Sequence, residues 1–166
     1  STPCEVFDIP LDESFDDINW PLCWTQTYEG GVNSEPWSVA NSNEAGGVPN
    51  EMAANWVNAT GITRLILPPL NLTGTVPSLK FTHFYDAYGT VQTLTHKIQT
   101  SSDGINWTDE SFSFVSGGTN IGPEEVEINL NNNIGPNTYI AFVMDGNHFQ
   151  FDGWYIDDVE VFQNLY

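Results

Sequence analysis

Positive charge is what this chain has least of. Arg64, Lys80 and Lys97 are its only Lys or Arg residues, against 22 Asp and Glu, for a formal charge of −19 over 166 residues. A field of that sign repels nucleic acid and anionic membranes, so neither is an expected partner. No run of about 18 apolar residues occurs, which leaves no helix able to insert into a membrane. No basic-plus-apolar leader opens the sequence, and it reads as a mature or excised piece. Cysteine is nearly absent too, with only Cys4 and Cys23. The composition suits an extracellular protein and favours a disulfide between them over two buried thiols. Catalytic signatures are also missing: there is no Gly-x-Ser-x-Gly elbow, no His-Glu-x-x-His helix and no Gly-rich phosphate loop. The spacing of His83, His96 and His148 does not suit a shared transition-metal site. With so many acids, a pair of carboxylates at glycosidase spacing arises by chance and argues for nothing.

What is present is strand. One domain is expected at this length, large enough to bury roughly 70% of its unfolded surface. Residues 1–12, with Pro3 and Pro10, read as a lead-in or linker from a neighbouring domain, and 13–166 as the domain itself. Ser14–Asp17 is expected to open the sheet, and Trp24 to enter the core. Ile62–Leu67 is a strand halted by Pro68-Pro69. Leu79, Phe81, His83 and Tyr85 alternate with Lys80, Thr82 and Phe84, the pattern of a half-buried strand. Leu94–Thr100 and Glu125–Leu130 read the same way, with Asp103-Gly104 as a two-residue hairpin turn and Trp107 packing back over it. Thr138–Met144 is apolar on both faces and belongs in the middle of a sheet or beneath a loop. About ten short strands with regular turn signals predict an all-β, two-sheet antiparallel sandwich of jelly-roll type.

The stretch Phe151-Asp-Gly-Trp-Tyr-Ile-Asp-Asp-Val-Glu-Val161 carries the most specific signal. Trp154 and Ile156 fall on one face of a strand, whereas Val159 and Val161 fall on the other, so the alternation changes phase at Asp157-Asp158. A bulge there restores all four to the core and turns one aspartate toward the sandwich rim. Adjacent carboxylates in an apolar strand are costly without a positive partner, and a hard cation is the natural one.

Three motifs, in this order and spacing, carry a resemblance: Cys4 with Glu13-Ser-Phe-Asp16 and Cys23-Trp-Thr25, the Ser101-Ser-Asp-Gly-Ile-Asn-Trp-Thr108 hairpin, and Trp154-Tyr-Ile-Asp-Asp-Val159. Together they resemble the cleaved-adhesin and choice-of-anchor domains of large secreted bacterial proteins, with MAM domains as more distant relatives. The closing motif is also similar to that of calcium-binding carbohydrate-binding modules. The resemblance implies a concanavalin/MAM-like jelly roll that binds Ca²⁺, is non-catalytic, and serves adhesion or targeting at the cell surface or after secretion. It further implies Asp16 and one or both of Asp157 and Asp158 as calcium ligands, with Asn43 and Glu44 as the loop ligands. Asp16, Asp17, Asp157 and Asp158 together supply the oxygen-only donor set calcium prefers. The Ser-Asp-Gly-x-x-Trp hairpin is read as a turn-holding device.

Aromatic side chains are the remaining clue, because sugar rings stack on exposed indole and phenol faces while nearby polar groups bond hydroxyls. Tyr85, Asp86 and Tyr88 at a strand end, and Trp37 and Trp56 flanking the Asn-rich loop at 41–50, are the expected ligand contacts. A glycan or a cell-surface protein is the expected partner. A spacer or assembly subunit of a surface polymer is the second reading, and a carbohydrate-active enzyme on the same fold the third.

Overall fold

A computed structural model describes residues 4–89 and 93–164. It contains thirteen strands: β1 (Phe7–Asp8), β2 (Leu11–Glu13), β3 (Thr25–Gly30), β4 (Trp37–Ala40), β5 (Glu51–Asn55), β6 (Thr60–Ile66), β7 (Leu70–Asn71), β8 (Pro77–Ala87), β9 (Leu94–Ser101), β10 (Thr108–Val115), β11 (Ile121–Asn129), β12 (Tyr139–Asn147) and β13 (Phe151–Gln163). One sheet runs β10-β9-β12-β6-β3 and the other β11-β8-β13-β5-β4, with β2 also on β13. All pairs are antiparallel except the short β1–β7 pair. The expected two-sheet sandwich is the fold.

Alternation explains the core. Leu79, Phe81, His83 and Tyr85 of β8 meet Leu94, His96 and Ile98 of β9 and Ile140, Phe142 and Met144 of β12 across the two inner faces, all buried. Each large apolar side chain so buried stabilises the fold by about 1.5–3 kcal/mol. On β13, Asp157 pairs with Thr82 and Glu160 with Lys80, three steps of chain against two. That extra residue is the expected bulge, with Asp158 at φ +49°. Trp154, Ile156, Val159 and Val161 all lie in the core as a result. The outer face of β12 is closed as well: Ala141 and Val143 are buried, with Trp107 and Tyr139 packed on their cluster.

Three local expectations change. The segment read as a lead-in contributes β1 and β2, packs Ile9 and Leu11 on the core, and is bonded through Cys4–Cys23. Strand pairing ends at Glu13 rather than spanning Ser14–Asp17, because the Glu13 carboxylate accepts the Phe15 amide at 2.8 Å and turns the chain. Phe15 then takes a left-handed conformation, φ +53°, with its ring against Trp24. The loop between β9 and β10 is six residues, 102–107, rather than two. Asp103 winds it by accepting bonds from the Ser101 hydroxyl, the Ile105 and Asn106 amides and the Asn106 side chain, so its role is structural, as read.

At one open side, edge strands β3 and β4 are bridged by Gln26. Its amide donates to the Trp37 carbonyl at 3.0 Å and accepts from the Trp37 N–H at 3.1 Å.

Candidate functional site

Two features stand out: a convergence of carboxylates under the 41–50 loop, and a cluster of exposed aromatics at one tip. The first starts at the β13 bulge. Asp157 points to the outer face yet is only 1% exposed. Its Oδ1 accepts the Asp158 amide at 2.8 Å. The loop lies directly on the pair: a Cβ added at Gly47, φ +80°, would stand 3.4 Å from Asp158 Oδ2 and 3.8 Å from Asp157 Oδ2. Glu51, fully buried at the start of β5, holds that loop by accepting the Glu44 and Ala45 amides at 2.7 and 2.8 Å and the Ser42 hydroxyl. Asn50 ties in the opening segment by donating to the Asp16 carbonyl at 2.8 Å.

The electrostatic result is a carboxylate that resists ionising. Burial, then the charges of Asp158, Glu51 and Asp16, push Asp157 up to about 7 against the opposing bond from the Asp158 amide. Burial and Asp16 also raise Asp158. Among the described residues none of these four acids has a Lys or Arg partner. Nor do three Asp, Glu, His or Cys side chains stand together as a finished coordination shell. The donors at hand are carboxylates, which suit a hard cation and no soft one. Glu51 was not expected from sequence; an acid between Asn50 and the apolar Met-Ala-Ala run is its only signal. Asp17 is used elsewhere, accepting the Asn19 amide and side chain at 3.0 and 2.9 Å in an exposed turn. Asn43 accepts the Gly46 amide through its backbone, and Glu44 contributes its amide to Glu51 while its own side chain is exposed.

The aromatic expectations divide. Tyr85 is buried, its hydroxyl donating to the Gly117 carbonyl at 2.8 Å, and Trp37 is buried with its ring 5.6 Å from that of Trp154. Both belong to the core rather than to an exposed stacking surface, Tyr85 because it shares its β8 phase with Phe81 and His83. Asp86 is half-buried on the outer face, its carboxyl raised first by burial and then by Asp152. Trp56 and Tyr88, by contrast, are 50% and 58% exposed and line a common cleft of about 180 Å³. Phe149 joins them, 40% exposed and edge-on to Trp56 at 4.9 Å, and buried Phe151 completes the lining. Backbone bonds lace the two supporting loops, Val57 N to His148 O at 3.1 Å and His148 N to Ala59 O at 2.8 Å. The buried His148 side chain donates from Nδ1 to the Gly146 carbonyl and accepts at Nε2 from the Thr63 hydroxyl. Phe149 and Phe151 flank a turn between two strands, a signal available in the sequence as an aromatic on either side of Gln150.

No protein-family profile and no curated protein matches the sequence. Solved structures do match. The K1 cleaved adhesin domain of Lys-gingipain from Porphyromonas gingivalis superposes with a TM-score of 0.67 at 17% identity, over 94% of this chain and 99% of that one. The carbohydrate-binding module TmCBM61, in complex with β-1,4-galactotriose, gives 0.57 at 13% over 92% and 95%. A CBM28 module specific for non-crystalline cellulose gives 0.59 at 12% over 92% and 94%. The chain has the fold of these modules.

Proposed function

We propose that this protein is a non-catalytic adhesion or carbohydrate-binding module that works outside the cell. The observation that carries the reading is the Trp56–Tyr88–Phe149 cleft, three large exposed aromatics, of which Trp56 and Phe149 stand on loops laced to each other by backbone bonds. Exposed apolar rings at this density mark a contact surface. The net charge disfavours an anionic membrane as that contact, and the fold is shared with a module solved in complex with β-1,4-galactotriose and with one specific for non-crystalline cellulose. A cleft of about 180 Å³ suits one or two sugar rings rather than a large cofactor. The disulfide accords with a secreted or cell-surface setting.

Calcium is the second part of the proposal. Asp157, Asp158 and Asp16, with carbonyls of the 41–50 loop, would hold it, and Glu51 would position the loop. Bound there, the ion supplies the positive charge this cluster lacks and pins the opening segment, the loop and β13 to each other.

Affinity electrophoresis of the purified protein against neutral and acidic polysaccharides tests the glycan reading. Retardation by a neutral polymer is expected, with a loss of at least about tenfold in affinity for Trp56→Ala, on the scale of one aromatic stacking contact, and an unchanged circular dichroism spectrum. No retardation by any polysaccharide moves the tip to protein adhesion.

A further inference from the structure

The open side of the sandwich carries a groove that the tip cleft does not reach. About 630 Å³ in volume, it runs between edge strands β3 and β4. Trp20 forms a wall, 39% exposed, with its indole N–H donating to the Trp24 carbonyl at 2.8 Å. That bond fixes the ring in an orientation where it lines the groove. Ile18 extends the apolar surface. The polar lining comes from Gln26, Glu35 and the hydroxyl residues Thr25 and Ser38. Gln26 uses one amide hydrogen and one lone pair on Trp37. A primary amide has two of each, so a donor and an acceptor remain.

We propose that this groove is a second saccharide site, for neutral hexopyranose chains. The inference rests on the glycan reading of the tip. Three observations select the occupant. The lining holds a carboxylate and no Lys or Arg, in a protein of charge −19, which excludes uronic, sialylated and sulfated chains. A peptide strand added on β4 would have to displace Gln26, which already holds the N–H and C=O of Trp37. What the groove offers instead is a fixed indole beside amide, hydroxyl and carboxylate groups, the combination that stacks on a pyranose and bonds its hydroxyls.

Calorimetric titration with β-1,4-linked trisaccharides of galactose, mannose and glucose tests this. For the sugar that binds, wild type takes up two equivalents, Trp20→Ala one and Trp56→Ala one. Glu35→Gln weakens the groove site about two- to tenfold, the scale of one hydrogen bond, and trigalacturonate fails to bind. In ¹⁵N spectra of Trp56→Ala, the Trp20 indole N–H signal shifts on titration, a readout that needs no change at Trp20 itself. One equivalent, lost in Trp56→Ala and kept in Trp20→Ala with a stationary Trp20 signal, overturns the groove and leaves the tip reading intact. One equivalent kept in Trp56→Ala and lost in Trp20→Ala upholds the groove and overturns the tip. No heat and no shift with any of the three sugars overturns both.

Discussion

Asp157 and the buried histidines pull the pH dependence of this fold in opposite directions. Asp157 holds its proton up to about pH 7 in the folded state, against about 4 in an unfolded chain. Its contribution to stability is complete below about pH 4 and disappears as the pH rises through about 7. His83, His96 and His148 are each lowered, chiefly by burial. Trp154 donates to Nδ1 of His83, so that imidazole is neutral with its proton on Nε2, facing Glu124. The unfolded chain therefore takes up protons below about pH 6.5 that the folded core refuses, and stability falls on that side. In chelator at pH 8, Asp157→Asn should melt higher than wild type, by calorimetry. Calcium at about 100 times its dissociation constant should then stabilise wild type by about 2.7 kcal/mol, or roughly 5–10 °C, and leave the variant unmoved. A variant that melts lower in chelator, or that calcium still stabilises, refutes the assignment. The sequence discloses the bulge at Asp157-Asp158 because a change of phase in alternation is a local property. It does not disclose Glu51, whose burial depends on a loop folding back over the sheet.

At the scale of elements, the six-residue turn between β9 and β10 works as a lid for the outer face of its sheet. Trp107 stacks on Arg64, 5.0 Å from ring centre to guanidinium carbon. Arg64 also bonds Gln99 at 2.9 Å and Glu29 at 3.1 Å. Beneath lie Ala141 and Val143, apolar residues on what is otherwise a solvent face. Trp107→Ala should cost about 2 kcal/mol, near 5 °C in melting temperature, through lost packing and an uncovered guanidinium. A shift below 1 °C would show that the face is closed without it. This arrangement is legible where Thr138–Met144 reads apolar on both sides, since a two-faced apolar strand needs a cover. The turn length is not legible, because Asp-Gly signals reversal but only the reach of the Asp103 carboxylate sets how many residues it gathers. Tyr85 shows the same limit from the other side. Strand phase places it inside, whereas its nearness in sequence to Tyr88 suggests a surface loop, and phase prevails.

Over the whole molecule, the three cations are distributed with a consistency the sequence does not reveal. Arg64 pairs with Glu29, Lys80 with Glu160, and Lys97 with Asp109 and Asp145. Each also sits in a strand with a neighbour on both sides: β6 between β12 and β3, β8 between β11 and β13, β9 between β10 and β12. Proteases that cleave after Lys or Arg bind their targets as extended segments drawn out of the fold, and these three positions are the only ones the chain provides. Cutting any of them requires a strand to leave the middle of a sheet, which is close to global unfolding. Trypsin should leave the folded protein at its intact mass through digestions that degrade it completely after heating, whereas thermolysin, reading apolar residues, should nick exposed loops in the native state. An early tryptic fragment ending at Arg64, Lys80 or Lys97 would contradict this. A domain so built should outlast trypsin-like enzymes through the placement of its cleavage sites alone.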